Sequence, residues 1–454
     1  MTSTRFDIDV LASCLAGRLI TEQDDDWATA RMAWNLAVDQ HPAFVVQVAS
    51  ADDVVEIVRF ARAADLRVAP QGTGHNAAPL GDLAGTILLR TDLLREVTVD
   101  PDAQIVRIGA GVLWGEVTEA LAPHGLTALA GSSPDVGVVG YTLGGGYSWL
   151  GRKYGLAASR VTAIEMVTGD GELRRVTPND DAELFWAVRG GGANLGVVCA
   201  LEFAVLPISD VYAGWLMFPL DRAPEVFRAY EAWTRDLDSA ATTCIRMLRL
   251  PPLPELPPFL SGQSFAMIDG AIDLDETAAA ALLAPLRALG PIIDTFAVTP
   301  TAALGQMHMD PPGPTPGVGD GFILDDMPLD AIDALMGVVG PGVDTALLMI
   351  DLRHLGGVLS SCDPRGGAVD HLPGRFLGFS AGVVPFPAAA AAVRADLDRL
   401  VAAVAPWRLD RDYMNFREAK ADANRFYSPR ALARLRQVAS RFNPDQVVRS
   451  NHEL

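Results

Sequence analysis

The sequence contains few cysteines, and those it has are widely separated. Its 454 residues include four cysteines, Cys14, Cys199, Cys244 and Cys362, with no CxxC pair. This spacing gives no signal for a zinc site or a disulfide framework. The histidines outside the glycine loops likewise show no metal-ligand spacing. We therefore predict no metal and a reducing, cytoplasmic location.

Basic residues and long hydrophobic runs are also scarce. Lys and Arg number 36 against 56 Asp and Glu, which gives a formal net charge of -20. Such a chain repels nucleic acid and anionic lipid. No run of about 18 uninterrupted apolar residues is present, and the first ten residues lack the features of a secretory signal. We predict neither a nucleic-acid nor a membrane partner, and the sequence carries no signal for an oligomeric state.

The pattern of predicted helices and strands changes near Pro207. Residues 43–206 alternate short strands and helices, for example a strand at 44–48 and a helix from 51, capped by Ser50. Beyond Pro207, strand-like runs at 244–250, 264–270, 346–357 and 375–384 are separated by helical stretches. Proline-rich joints are predicted at 251–258 and 310–316. The second half therefore predicts one antiparallel sheet backed by helices.

Glycines concentrate in three separated loops, at 71–75, 131–149 and 189–198. Each loop alone is more often a set of sharp turns. Together they supply many bare backbone N–H groups, which can line a phosphate-bearing ligand. A dinucleotide fingerprint is absent, because Gly109-x-Gly111 is followed by Trp114 where a third glycine is required.

The order of these motifs resembles the berberine-bridge-enzyme-like branch of the vanillyl-alcohol oxidase and p-cresol methylhydroxylase flavoproteins. The matching segments share glycine-rich or aromatic signatures and run through nearly the whole chain: GTGH (72–75), GAGVLWGEV (109–117), GSSPDVGVVGYTLGGG (131–146), WLGRKYGLA (149–157), ELFWAVRGGGANLGVV (183–198), YMNF (413–416) and RFNPDQVV (441–448). The resemblance implies an α+β, two-subdomain FAD-binding fold of the p-cresol methylhydroxylase type, with an antiparallel-sheet substrate subdomain backed by helices. It implies an FAD-binding subdomain at 1–207, a substrate subdomain at 208–408 and a tail at 409–454 that returns to the first.

The resemblance further implies a covalent flavin. His75 matches the histidine that bonds through a ring nitrogen to the isoalloxazine, and a neutral imidazole is a suitable nucleophile. Ser133 stands where many relatives have a second, cysteine tether, and a serine hydroxyl does not supply a thiolate. We therefore predict FAD held by a single bond, through His75.

Cofactor contacts are implied for residues of the three loops and the C-terminal motif. They are Gln71, Gly72, Thr73, Gly74, His75, Asn76, Gly131, Ser132, Ser133, Val136, Gly137, Gly140, Thr142, Gly145, Gly146, Asn194, Gly196, Val198, Tyr413 and Asn415. Gln71, Leu195 and Phe416 depart from the residues usual in the family, which bears on the substrate more than on the cofactor.

Three residues are candidates for the chemistry of the substrate. Tyr413 matches a tyrosine that serves as base or substrate anchor, although a phenol with a pKa near 10 is a poor base without help, and a packed aromatic is the alternative. Strand alternation places Met349, Asp351 and Arg353 on one face and Leu348, Ile350 and Leu352 on the other. Asp351 and Arg353 either meet the substrate or form a structural ion pair. Tyr147 and Trp149 either wall the site or belong to the core.

The predicted reaction is hydride transfer from the CH–OH or CH–NH group of a small molecule to FAD, followed by reoxidation by O₂ to give H₂O₂. A sugar or a hydroxylated secondary metabolite is the expected substrate. Val136 is small, lies at the P-x-V-G position and favours access of O₂. A dehydrogenase of the same fold and a non-catalytic flavin-binding protein remain alternatives.

Overall fold

The computed structural model describes residues 8–252, 254, 258–311 and 313–454. The first seven residues of the predicted FAD-binding subdomain and parts of both proline-rich joints lie outside the described residues. The described chain contains helices and three separate sheets, two of which are fully antiparallel. The predicted α+β fold class is thus confirmed.

The first sheet has four strands in the order β1-β2-β4-β3. Their bounds are β1 Arg18–Ile20, β2 Phe44–Gln47, β3 Arg67–Gln71 and β4 Thr86–Arg90. β1 pairs antiparallel with β2, whereas β4 lies parallel to both β2 and β3. β3 ends at Gln71, so the first glycine loop leaves the sheet from its carboxyl end.

The second sheet has five antiparallel strands in the order β5-β6-β9-β7-β8. Their bounds are β5 Val97–Asp100, β6 Ile105–Gly109, β7 Val161–Thr168, β8 Leu173–Val176 and β9 Gly196–Ala204. β9 begins at Gly196, directly after the third glycine loop. One core joins the two sheets, because Val167 and Val197 belong to the same hydrophobic cluster as Val46 and Ile87 of the first sheet.

The third sheet has eight antiparallel strands, whose path runs β13-β10-β12-β11-β16-β17-β15, with β14 paired to β10. Their bounds are β10 Asp210–Pro219, β11 Ala241–Arg249, β12 Ser264–Ile272, β13 Ile293–Asp294, β14 Ala297–Pro300, β15 Gly317–Leu324, β16 Met349–His354 and β17 Phe376–Val383. All of them come from the middle of the chain, and β15 lies at one edge.

Twelve α-helices cover these sheets in the described chain. Their bounds are α1 Ile8–Cys14, α2 Trp27–Ala30, α3 Ala51–Ala64, α4 Trp114–Leu121, α5 Val138–Leu143, α6 Gly151–Tyr154, α7 Ala182–Gly191, α8 Ala223–Thr234, α9 Glu276–Arg287, α10 Leu329–Val339, α11 Ala389–Ala403 and α12 Pro429–Phe442. Helices α8 to α11 pack on one face of the third sheet. None of the described helices is long and apolar enough to cross a membrane.

Local signals explain several of these helices. Ser50 Oγ accepts the Asp53 N–H at 3.1 Å and caps α3, as predicted. α3 buries Val54, Ile57 and Val58 on the predicted face. α4 ends at Leu121, before Pro123, and a 3₁₀ turn then leads to Gly125 in the left-handed region at φ 65°.

The C-terminal residues return to the first half of the chain. Val68 N–H donates to Val447 O at 2.8 Å, and Arg449 N–H donates to Val68 O at 2.8 Å. Asn443 Nδ2 donates to Asn194 O at 3.0 Å. These bonds fasten the tail beside β3 and beside the third glycine loop.

Two expectations about the middle segment need correction. The strand predicted at 346–357 is confined to Met349–His354, so Leu348 lies before it and borders a cavity rather than packing against the helices. Ile350 and Leu352 do pack against the helices, as predicted. β10 and β15 were not predicted. β15 lacks the apolar alternation typical of a strand, because Gly317, Gly319 and Gly321 occupy every second position at its start.

The buried carboxylate of Asp53 anchors the N-terminal segment. It accepts backbone N–H groups of Ala16 at 2.8 Å, Gly17 at 3.0 Å and Ala49 at 2.8 Å. We expect Asp53→Ala to lower the free energy of unfolding by about 3 kcal/mol, because three N–H groups lose a charged acceptor. Urea unfolding measures the loss. Asp52→Ala, on the exposed neighbour in α3, is the matched control, and an equal loss in both variants would contradict this role.

Candidate functional site

A cavity of about 480 Å³ lies where the glycine loops face the third sheet. The first and second loops line one side with residues 70–77 and with Gly131, Ser132 and Ser133. Strands β11, β15, β16 and β17 line the other, and Tyr413 to Phe416 close it. Segments that are hundreds of residues apart therefore meet around one space.

His75 is held in a fixed orientation at this cavity. Trp34 stacks on its imidazole with ring centroids 4.0 Å apart. His75 Nε2 lies 3.3 Å from Asp135 O and 3.4 Å from Asp135 Oδ1. Asp135 also accepts Trp34 Nε1–H at 2.6 Å and the Ser133 hydroxyl at 2.8 Å. Partial burial favours the neutral acid, but the hydrogen bonds from His75 and Ser133 lower the pKa of Asp135.

Two buried amides at the cavity have polar atoms that lack a partner among the described residues. Both Gln71 Oε1 and Gln71 Nε2 lack a hydrogen bond, as does Asn76 Oδ1. Asn76 Nδ2, in contrast, donates to Met414 O at 3.1 Å. Unsatisfied buried polar atoms cost free energy, so these amides are suited to a polar ligand. This agrees with the expectation that a flavin cofactor occupies the cavity.

Most of the predicted cofactor residues border the cavity. They are Gln71, Gly72, Thr73, Gly74, His75, Asn76, Gly131, Ser132, Ser133, Val136, Gly137, Gly140, Gly196, Val198, Tyr413 and Asn415. Of the catalytic candidates, Arg353 also borders it. The fold therefore brings residues from all three glycine loops to one place, while their contact with a cofactor stays a prediction.

Five of the predicted residues do not border the cavity. Gly145 and Gly146 form the turn on which Tyr413 packs. Asn194 Nδ2 donates to Gly191 O and His452 O. Thr142 is buried in α5, and Asp351 is fully buried in β16. The structure thus gives each of them a buried position behind the cavity, and a direct contact with a ligand stays a prediction.

The Tyr413 hydroxyl is an acceptor for three donors. The backbone N–H groups of Gly146 and Tyr147 reach it at 3.0 and 2.9 Å, and Asn415 Nδ2 reaches it at 2.9 Å. Burial raises the pKa of Tyr413 to about 12, although these hydrogen bonds oppose the shift. At neutral pH the group is therefore a phenol whose own proton can be donated. Its neighbour Tyr147 borders the cavity, whereas Trp149 lies in the core.

Asp351 and Arg353 form an ion pair within a larger buried cluster. Arg353 Nε donates to Asp351 Oδ2 at 3.0 Å, and His308 Nε2 lies 3.2 Å from the same oxygen. His308 Nδ1 lies 2.9 Å from Asp310 Oδ1. Burial favours the neutral acid of Asp351, but Arg353 and His308 lower its pKa. Burial and Arg246 oppose protonation of His308, but Asp310 and Asp351 raise its pKa.

Cys244 completes this cluster. Its thiol donates to Asp351 Oδ1 at 2.9 Å, and burial, reinforced by Asp351, raises the pKa of Cys244. The ligand-type atoms of Cys244, His308 and Asp351 lie within 4.8 Å of one another, although their sequence positions show no metal spacing. Arg353 already neutralises Asp351, so this trio is better explained as a closed ionic cluster than as a cation site.

Several cavity residues were not predicted from the sequence. They are Trp34, Asn35, Tyr141, Arg246, His308, Asp310, Glu418, Arg449 and Asn451. Arg246 could have been found, because alternation in β11 puts it on the face of Cys244 and Leu248. Trp34 and His308 lie in irregular segments without a local signal. Asp135, which orients His75, lies inside the second glycine motif, and no role was predicted for it.

Comparison with known proteins agrees with this geometry. Residues 42–177 match the family model of the FAD binding domain. The uncharacterized FAD-linked oxidoreductase YgaK of Bacillus subtilis is 30% identical over 236 residues, 51% of this chain and 52% of that protein. The (R)-6-hydroxynicotine oxidase of Paenarthrobacter nicotinovorans is 34% identical over 188 residues, 41% of each chain. The matched part thus spans about half, or less, of these curated relatives.

Solved structures share the whole fold at low sequence identity. The Physcomitrella patens BBE-like 1 structure gives a TM-score of 0.86 at 17% identity and covers 98% of both chains. The 6-hydroxy-D-nicotine oxidase of Arthrobacter nicotinovorans gives 0.83 at 21% identity, over 95% of this chain and 96% of that one. A xylooligosaccharide oxidase of Myceliophthora thermophila gives 0.83 at 18% identity, over 97% of both. The predicted p-cresol-methylhydroxylase-type FAD-binding fold is thereby confirmed.

Glu418 introduces a pH dependence at the edge of the cavity. Burial, with a contribution from Asp320, raises its pKa to about 7, although Gly319 N–H donates to it at 2.8 Å. The folded protein therefore holds a proton that the unfolded chain releases near pH 4.3. Stability attributable to this proton is present below that pH and is lost as pH rises toward 7.

We expect Glu418→Gln to flatten the fall of the melting temperature between about pH 4.5 and 7. Thermal unfolding followed across this range measures the slope. Glu119→Gln, at an exposed position in α4, should leave the slope of the parent protein unchanged. A Glu418→Gln variant with the parent slope would show that Glu418 titrates alike in both states.

Proposed function

We propose that this chain, whose residues 42–177 match the FAD binding domain, is an FAD-dependent oxidase. In this proposal a hydride leaves the carbon of the CH–OH or CH–NH group of a small molecule while the O–H or N–H proton passes to solvent, and O₂ then takes up two electrons and two protons to give H₂O₂. One observation carries the proposal: three glycine loops, His75 and one face of an eight-stranded sheet surround a single cavity. The sequence expectation of a sugar or hydroxylated secondary metabolite is retained as the substrate range.

The residues with unsatisfied polar atoms suit the cofactor. Gln71 and Asn76 offer amide groups to it, and the glycines of both lining loops allow its close approach. Arg449 of the tail borders the same cavity and supplies a cation that the first and second glycine loops lack. When bound, FAD supplies the hydride acceptor that the protein's own side chains cannot provide.

Asp135 prepares His75 for covalent attachment. A proton on Nε2 points to the oxygens of Asp135, so the lone pair of the neutral imidazole resides on Nδ1. The stacked Trp34 prevents the ring from turning. Ser133 does not compete, because its hydroxyl donates to Asp135. These contacts support a single tether through His75, with Nδ1 as the nucleophile.

Arg353 and Tyr413 are the groups best placed to orient a substrate. Arg353 borders the cavity, and its guanidinium donates to Ser132 Oγ at 3.2 Å. Asp351 keeps Arg353 charged and fixed from behind. Tyr413 accepts three hydrogen bonds from the protein, so its O–H proton remains available to a substrate oxygen. In this assignment Tyr413 anchors the substrate, and Asp351 is a positioning residue.

His75→Ala should abolish covalent attachment. After acid precipitation the yellow colour of the parent protein stays in the pellet, whereas that of the variant passes into the supernatant. Asp135→Asn should slow attachment by about tenfold or more, because the charged partner that fixes the tautomer is lost. Ser133→Ala is the matched control, since it removes one hydrogen bond to Asp135 without changing its charge. Retention of flavin by the His75→Ala pellet would refute the tether.

Oxidase activity predicts rapid reoxidation of the reduced protein in air, accompanied by H₂O₂. Val136→Leu should slow this step by about tenfold, ~1.4 kcal/mol in the barrier, because the added methylene narrows the cavity at the P-x-V-G position, where access of O₂ is expected. Stopped-flow absorbance measures the rate, and Val139→Leu serves as the control at another cavity position. Slow reoxidation by O₂, together with fast transfer to dichlorophenolindophenol, would instead identify a dehydrogenase.

A further inference from the structure

The cavity-facing side of the third sheet is arranged in rows. In one row Cys244 lies between Asp269 and Arg353. In the next, Arg246 and Asp351 are followed by Phe379. The third row is uncharged throughout, and its members are Phe265, Leu248, Met349, Ala381 and Gly319. One end of this wall is therefore ionic, and the other carries apolar side chains, beside which the Glu418 carboxyl accepts the Gly319 N–H at 2.8 Å.

The charges at the ionic end neutralise one another. Arg353 pairs with Asp351 at 3.0 Å, and Arg246 Nη2 lies 3.1 Å from Asp269 Oδ2. His308 lies between Asp310 and Asp351. A charged substrate would have to displace one of these buried partners, at considerable cost in desolvation. The wall therefore favours a neutral ligand.

The apolar end offers a surface for a flat ring. The rings of Phe379 and Phe416 lie 5.1 Å apart at 47°. A side chain at Gly319 would lie 2.7 Å from Phe379 Cζ, and one at Gly321 would lie 2.7 Å from Phe416 Cβ. These aromatic residues therefore rest directly on the bare backbone of the edge strand β15.

Two exposed apolar side chains border the cavity as well. Met309 and Val383 both border the cavity and are 43% and 38% exposed. A sugar bound against such walls would lose water from hydroxyl groups that find few partners there, which costs free energy for each unpaired hydroxyl. An apolar ring would instead gain from its own burial.

From these walls we infer that the substrate is a neutral alcohol or amine built on a flat apolar ring, not an oligosaccharide. This inference rests on the proposed function for the reaction itself. The ring lies along Leu248, Met349 and Phe379. The carbon that is oxidised points toward Arg353 and Tyr413, where the polar groups of the wall are. The xylooligosaccharide oxidase therefore shares the fold of this chain but not the substrate class that we infer for it.

Binding is tested apart from turnover with the purified yellow protein. Acetophenone, a neutral flat ketone that carries no oxidisable CH–OH, should perturb the visible flavin spectrum with saturation, and cellobiose should not. In peroxide assays, 1-phenylethanol should exceed both glucose and cellobiose in kcat/KM by about 100-fold, the effect of burying one phenyl ring. Perturbation by cellobiose but not by acetophenone would overturn the inference and leave the oxidase proposal intact.

The two proposals can fail separately. If acetophenone binds but none of these compounds reduces the flavin or releases peroxide, the assigned reaction fails and the ring-binding wall stands. If the protein takes up no FAD, the proposed function fails. Quenching of tryptophan fluorescence by acetophenone then decides the inference. The ring centroid of Trp149 lies 6.0 Å from that of His308, which lines the cavity.

A pair of variants locates the ring. Met349→Gln keeps the length of the side chain but introduces an amide on the apolar row, and it should weaken acetophenone binding by about tenfold. Met336→Gln, on the helix side of the same sheet, is the matched control and should bind as the parent does. Equal affinity for acetophenone in the parent and in Met349→Gln would show that the ring does not bind at this wall.

Gly317 provides a test of size. A Cβ there would have Gly382 O as its nearest neighbour at 3.8 Å, so Gly317→Val can be accommodated by the protein. Alternation in β15 directs the added group to the cavity side. We expect the variant to lose 1-(2-naphthyl)ethanol oxidation by about tenfold more than 1-phenylethanol oxidation. An equal change for both alcohols would show that the ring lies elsewhere.

Discussion

The Tyr413 hydroxyl holds together the parts of the chain that surround the cavity. It accepts the N–H groups of the glycine turn at Gly146 and Tyr147, and it accepts the amide of Asn415. The turn can approach so closely because Gly144, Gly145 and Gly146 have no side chains. A Cβ at Gly144 would lie 1.8 Å from Asn415 Oδ1. Both the glycines and the tyrosine are therefore required for one junction, which joins the second glycine loop to the C-terminal motif that closes the cavity.

The sequence predicted those features that are written in local pattern or in motif order. Alternation in β16 placed Asp351 and Arg353 on the cavity side, and capping placed the start of α3 at Ser50. The motif order predicted the FAD binding domain and the fold, both of which are confirmed. The glycine-rich strand β15 could not be predicted, because glycine carries no periodic signal. Trp34, His308 and Arg449 reach the cavity through tertiary contacts alone, which local patterns do not encode.

The two ends of the site differ in how far their polar groups are already paired within the protein. At the glycine loops, amide atoms of Gln71 and Asn76 lack partners among the described residues, so this region is suited to a polar ligand. At the sheet, Arg246, Arg353 and His308 are each matched by a carboxylate, so little charge is left for a ligand to satisfy. The cavity thus offers unpaired hydrogen-bonding groups to its proposed cofactor, but it offers little uncompensated charge to a substrate.

The tail that returns to β3 has a consequence for biosynthesis. Asn443, Val447 and Arg449 are bonded to Val68 and Asn194, and Arg449 borders the cavity. During translation the glycine loops emerge from the ribosome several hundred residues before this segment does. The pocket is therefore incomplete while the chain is still being made, and a ligand that contacts Arg449 can bind fully only after the tail has closed the cavity.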